Sequence, residues 1–241
     1  MLLVSAATYV AAVLFFGLMG LLFMGVVELY NHGPQDRPPA AVFFELFWVP
    51  VFFAVPLLTM RCFAEERRLG TLDTLLAAPV GTTEVVLGKF GAAYFLYLLL
   101  WGGTAGFFWL LRLFAPVAGL VEPGPLVGGY LFVALSGLLF VALGVWASAL
   151  TRNQGLAALF TVVALAVVVW GPRLALGNVA ALDLPSLRPV RELLEYARVF
   201  RHMEDFTRGV VDARAALFYL SGAGLALVFG VFTVEAKQLH T

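Results

Sequence analysis

Six long stretches of the chain show apolar residues on every side, with no alternation of polar and apolar positions at helical or strand spacing. They run roughly Ala6–Val27, Ala41–Met60, Phe90–Leu111, Leu126–Leu150, Gly155–Leu176 and Ala215–Val234. Each is close to the ~20 apolar residues that a helix needs to cross a bilayer core. Apart from Glu45 and Arg173, both near a predicted end, the six carry no charge. A backbone in hydrocarbon must satisfy its own hydrogen bonds, and helices do so locally. The pattern therefore predicts an all-α polytopic membrane protein, one transmembrane domain over residues 1–241 with six spanning helices.

Composition strengthens this picture. The chain has 241 residues, 62% hydrophobic and 12% charged, where soluble domains carry about 25% charged residues. Fifteen basic and fifteen acidic side chains cancel, so no basic field exists to hold a nucleic acid. One cysteine, Cys62, cannot form an internal disulfide, and no cluster of His and Cys has metal-ligand spacing, so neither metal nor cofactor is expected. The first apolar run starts almost at Met1 and exceeds the length of a signal peptide's core, which argues against cleavage.

Two features bear on how the spans pack. Pro50 and Pro56 lie inside the second, each removing a backbone donor, and predict a bent helix. Small residues four apart allow close backbone approach: Gly102 and Gly106, Gly144 and Ser148, and Gly222, Ala226 and Gly230. They suit packing within the subunit or a seam with a second copy. Six spans place both termini on one side of the membrane. With the termini in the cytoplasm, Lys and Arg number six inside and nine outside, but the short connections alone favour that orientation six to two. The excess comes from the connection at residues 177–214 and its flanking Arg173. Its arginines are nearly balanced by acidic residues, and it is expected to be extracytoplasmic.

The connection between spans two and three, Arg61 to Lys89, holds eight charges in 29 residues and is organised. Arg61, Glu65, Glu66, Arg67 and Arg68 would prolong the second helix past the membrane, with Arg61 and Glu65 an (i, i+4) pair. Gly70 fits a left-handed helix-ending position. Thr71 suits the N-cap of a second short helix with Asp73 in its first turn and Leu72, Leu75 and Leu76 along one edge, stopped by Pro79. Thr82 or Thr83 can cap the third span, and Gly88 and Lys89 stand at its start. A short helix lying across the ends of two spans, showing both apolar and charged groups, suits docking of a cytosolic partner; spacing alone fits equally a solvated turn with ordinary caps.

The run RCFAEERRLGTLDTLLAAPVGTTEVVLGKF, residues 61–90, resembles the signature of bacterial ABC transporter permeases of the type-2 exporter family, in particular the small six-helix permeases of gliding-motility and Nat-like exporters. Its Glu65, Glu66, Gly70, Thr71, Leu75, Leu76, Pro79, Gly88 and Lys89 carry the likeness. Phe206–Tyr219 is similar to the family's approach to its last span, and the likeness extends from Tyr9 to Thr241. The resemblance implies a permease in the bacterial cytoplasmic membrane that pairs with a second permease subunit. It further implies that residues 61–89, a coupling segment, press on a separate ATP-binding subunit. Members usually carry a basic and acidic amphipathic stretch before the first span, whereas this sequence starts almost in the membrane; either its start is short or this branch lacks that helix, and the contact made there is in doubt.

Between spans five and six, Pro189 opens a stretch in which Val190, Leu193, Leu194, Ala197, Phe200 and Met203 recur at helical spacing, predicting one amphipathic helix at the membrane surface. Arg191 with Glu195 and Arg201 with Asp205 are (i, i+4) pairs on its other face, Gly209 ends it, and Asp212 caps the sixth span. The chain has no GxxxxGK[ST] phosphate loop, so ATP hydrolysis is not expected of it. Its spans lack the mid-depth ionisable groups of ion-driven carriers, and Ser136 and Ser221 have no histidine beside them in the spans. Beside the reading as a non-enzymatic ABC exporter permease of unknown substrate stand two others. One is a membrane-embedded enzyme acting on lipid or peptide, the other a non-transporting member of a motility or secretion assembly.

Overall fold

The computed structural model describes residues 6–33, 36–71, 81–114, 121–182 and 187–238. Among them the chain is helical and carries no strand: α1 (Ala6–Asn31), α2 (Pro39–Glu45), α3 (Trp48–Thr59), α4 (Ala64–Leu69), α5 (Thr82–Gly103), α6 (Ala105–Phe114), α7 (Pro123–Leu150), α8 (Gln154–Leu182), α9 (Arg188–Tyr196), α10 (Val199–Thr207) and α11 (Ala213–Gln238). Six stretches are long and apolar enough to cross a membrane: Thr8–Asn31, Trp48–Leu69, Thr82–Phe114, Pro123–Leu150, Gln154–Val179 and Ala213–Ala236. The protein is an all-α, multi-pass membrane protein.

Burial sorts the spans. In the second and the fourth, 56% of the apolar window lies inside the protein, against 22% in the first and the fifth. The outer helices therefore present Val13, Leu21, Met24, Leu159, Val163 and Phe232 outward, as lipid-facing helices do. The central post is α7, which touches α2, α3, α5, α8, α10 and α11. Glycines on α7 make those approaches possible. A Cβ at Gly137 would stand 2.2 Å from the Tyr97 ring of α5, one at Gly144 2.3 Å from Thr59 Oγ1 of α3, and one at Gly128 1.9 Å from the Phe206 carbonyl oxygen of α10. Aromatic rings fill the remaining space: Phe44 stacks near Trp101 and Phe108, and Phe132 meets Phe47, Phe206 and Tyr219 edge-on.

The second span is broken rather than bent. Its helix stops at Glu45 and restarts at Trp48, and at the join Leu46 and Phe47 donate to Phe43 and Phe44 in tight three-residue turns. Pro50, which has no N–H, cannot return a helical bond to the Leu46 carbonyl. Pro56, by contrast, is accommodated inside α3. Arg37 reaches back across this end and pairs with Glu45, Nη1 to Oε2, at 3.2 Å.

The connection between spans five and six also differs from the single helix expected, being two helices broken at Ala197–Arg198. The break separates the apolar stripe into two halves. Val199, Met203 and Phe206 of α10 are buried against the bundle, whereas Val190 and Leu193 of α9 remain exposed. Arg191 pairs with Glu195 as expected, but the pair found at the end of α10 joins Arg208, just past the helix, to Glu204, in place of Arg201 to Asp205. Gly209 takes φ +81° after the last turn, and Asp212 Oδ1 accepts from the Arg214 N–H at 2.8 Å.

The small-residue stripes divide as well. Gly222, Ala226 and Gly230 of α11 pack within the chain, Gly222 against Leu139 and Gly230 against Val86. Gly102 and Gly106 are exposed, and a Cβ on either would meet nothing.

Candidate functional site: the charged turn between the second and third spans

At one end of the bundle the charged segment leaves α3, and its local shape follows from backbone groups that must be satisfied next to the membrane. Four orphan N–H groups begin any helix. Those of Phe63 and Ala64, which start α4, are taken by Ser148 Oγ of α7 at 3.0 and 3.1 Å. The same hydroxyl donates to the Met60 carbonyl at 3.1 Å. A side chain about 85 positions away in sequence thus closes the turn that ends the second span. Ser148, singled out in the sequence only as a small residue, is a cap supplied from a neighbouring helix.

This turn rules out the expected Arg61–Glu65 pair. The helix does not run through Met60–Phe63, so the two residues do not share one continuous helical face. The ion pair found instead joins Glu66 Oε1 to Lys89 Nζ of α5, with side chains 29% and 17% exposed. Lys89 also donates to the Cys62 carbonyl at 2.6 Å and lies 4.9 Å from the centroid of the Phe63 ring. Three contacts from one ammonium tie the turn to the start of the third span. Lys89 sits one turn or more inside α5, whose first residue is Thr82. The cap of α5 is Gly81, whose N–H donates to Glu84 Oε2 at 3.2 Å, rather than a threonine.

The end of α4 matches expectation. Gly70 adopts φ +70°, and the Thr71 N–H donates to the Glu66 carbonyl at 3.0 Å, closing the helix as a left-handed cap does. Thr71 therefore finishes α4. The second short helix expected at Leu72–Pro79, with Asp73, Leu75, Leu76 and Pro79, lies outside the described residues, and with it the capping role given to Thr71.

The structure separates the charged residues by task. Glu66 and Lys89 face each other, while Arg68 and Leu69 are exposed and Glu65 is half-exposed. Arg61 and Arg67 are half-buried, and Arg61 Nε, Arg67 Nη2 and Glu66 Oε2 are buried without a hydrogen-bond partner among the described residues. Gly88 points outward from α5 into open space. A neighbouring turn joins this surface. Arg68, Arg152 and Asn153 line one recess of 420 Å³ with Thr151 and Gln154 from the α7–α8 junction. Asn153 Oδ1 caps α8 through the Gly155 N–H at 2.8 Å. The sequence offered one signal for this second element, the polar Thr-Arg-Asn between two apolar spans.

Chemically, the arrangement is a stapled, partly charged projection beside a shallow cationic recess, at the end of the bundle where α5 and α8 begin. Such a surface can bear load and recognise a partner's charges. No curated protein sequence matches the chain. The pattern of the family described as ABC-2 family transporter protein matches residues 47–235, from the start of the second span to the end of the sixth. With six spanning helices and a matched region that takes in the stapled turn and most of the chain, the protein belongs to the ABC-2 family of transporter proteins, the membrane components of ABC transporters.

Proposed function

We propose that this chain is the permease subunit of an ABC exporter, driven by a separate ATP-binding subunit that docks on residues 61–89. The stapled turn supports this reading best. Lys89 fixes α4 to α5 and Ser148 fixes it to α7, so a push on α4 moves two spans together rather than deforming a loop. The energy source lies in the partner, consistent with a chain that has no phosphate loop of its own. Arg68 and Arg152 supply positive charge at the docking end, which suits an acidic patch on the ATPase.

Under this reading the docking end faces the cytoplasm, both termini lie there, the membrane is the bacterial cytoplasmic one, and α9 and α10 lie on the outer side. Two permease subunits share the transport path, and the exposed Gly102–Gly106 edge of α5 and α6 is available to the second copy.

The test is co-purification of the ATP-binding subunit with charge-reversed permeases. Arg68→Glu and Arg152→Glu reverse exposed groups of the recess and should weaken the association and lower ATPase stimulation while leaving membrane insertion intact. Wild-type association by both variants would count against docking at this surface.

A further inference from the structure

At the opposite end of the bundle, a cavity of 430 Å³ opens between α8 and α10, away from the docking turn. Four guanidinium groups line it, those of Arg173, Arg198, Arg201 and Arg208, against the two carboxylates of Glu204 and Asp205. Arg208 is engaged by Glu204 at 4.0 Å. Arg173, Arg198 and Arg201 make no salt bridge or side-chain hydrogen bond among the described residues, and all three are exposed. Among the described residues the lining thus keeps a surplus of two positive charges, four arginines against two carboxylates.

Depth identifies what such a site would meet. Arg173 is the single charged residue of the fifth candidate span. It lies 19 residues beyond Gln154, the start of α8, so at ~1.5 Å rise per residue it stands about 29 Å along the axis, close to the ~30 Å thickness of the hydrocarbon core. With Gln154 at one boundary of the hydrocarbon core, Arg173 stands at headgroup level at the other. The rest of the lining comes from Phe200 and from Val169 and Val199, the two valines being buried, so the cavity itself is mainly polar. Beside it α9 packs on α8 and keeps Val190 and Leu193 exposed, as a helix lying in the membrane surface would. Guanidinium groups present paired donors that match the oxygens of a phosphate.

We infer that this cavity binds the phosphate of an anionic lipid headgroup, with Arg173, Arg198 and Arg201 as its ligands and the acyl chains lying against α8 and α9. The position of Arg173 near the end of its span and the exposed Val190 and Leu193 of the adjoining α9 favour a lipid over a free anion. The inference requires only that the chain sits in a bilayer; it holds whichever side this end faces and does not depend on ATPase docking.

The test is native mass spectrometry of the full chain in neutral detergent, titrated separately with phosphatidylglycerol, phosphatidylcholine and inorganic phosphate. The wild type should retain phosphatidylglycerol in preference to phosphatidylcholine. The triple variant Arg173→Gln, Arg198→Gln, Arg201→Gln should lose roughly a hundredfold in that affinity, from about fivefold per basic side chain at a membrane surface. Lysine at the same three positions should retain most of it. Because these side chains are exposed, the variants should keep the wild-type elution volume and melting temperature, which separates lost binding from lost folding. Equal retention of phosphatidylglycerol by wild type and the glutamine variant would overturn the inference, as would equal retention of the two lipids. Inorganic phosphate binding as tightly as phosphatidylglycerol would overturn the lipid assignment.

Discussion

Replacing Lys89 by methionine keeps most of the side chain's apolar stem but removes the charge that holds the charged turn together. The lost interactions can be sized. An ion pair at about 3 Å in an effective dielectric near 20 has a gross attraction of roughly 5 kcal/mol. Holding the lysine in one rotamer costs about 2 kcal/mol, and its partial burial removes more. The bond to the Cys62 carbonyl and the contact with the Phe63 ring restore about 1–2 kcal/mol. The substitution should therefore destabilise the turn locally by about 2–4 kcal/mol.

Cys62 makes this measurable. It is the chain's one cysteine, 2% exposed, and its own carbonyl is a Lys89 acceptor. A membrane-permeant maleimide reaches its thiol only when the turn opens. If opening is local and reversible, 2 kcal/mol raises the open population about 30-fold, so Lys89→Met should label at least that much faster in membranes. Glu66→Lys should also accelerate labelling, because it sets two ammonium groups together, and the swap Glu66→Lys with Lys89→Glu should recover much of the wild-type protection. Labelling of Lys89→Met within threefold of wild type would show that the staple does not hold the turn and that α4 does not move α5 with it.

Further expectations concern other parts of the fold. Ser148→Ala leaves the buried N–H groups of Phe63 and Ala64 without their acceptor and should lower stability by about 2–3 kcal/mol, read as a drop in melting temperature in detergent, whereas Ser221→Ala should be nearly silent because Ser221 is exposed and bonds only within its own helix. Gly128→Ala sets a Cβ against a backbone oxygen and should cost at least 1–3 kcal/mol by the same readout, while Gly102→Ala and Gly106→Ala should leave the single chain unaffected and change only its self-association in a crosslinking assay. His202 is buried in α10, its Nδ1 3.1 Å from the Tyr219 hydroxyl, and desolvation holds its pKa below the usual 6.5 despite the nearby Asp205 and Asp212. The folded state then binds fewer protons than the unfolded one. Stability should be intact above about pH 6.5 and decline as pH falls through the lowered folded value, and His202→Gln should flatten that decline in thermal melts across pH 5–7.5.

How much of the site was legible in the sequence varied residue by residue. Gly70 announced its left-handed position, because only glycine adopts it freely, and the structure places it there. Glu65 and Glu66 looked equivalent in the sequence, yet Glu66 turns in to Lys89 while Glu65 stays half-exposed. Arg61 and Glu65 had helical spacing but not a continuous helix, because Ser148 satisfies backbone donors in the middle of their segment. The cationic recess needed Arg68 and Arg152, which are distant in sequence and meet only when spans two and four pack.

The sequence by itself determined that this chain is helical and lives in a bilayer, since length and hydropathy decide span formation and a helix satisfies its backbone within its own segment. It also determined where charge gathers between the spans. The tertiary structure alone decided which faces meet. Helices that are apolar all round carry little information about their rotation, so partners are chosen by glycines that admit a ring or a backbone, and by hydroxyls and ammonium groups that find acceptors across the bundle. Gly137 under Tyr97, Ser148 over Phe63 and Lys89 against Glu66 are such choices. They turn six interchangeable apolar rods into one bundle with a stapled turn at one end and an arginine-lined cavity at the other.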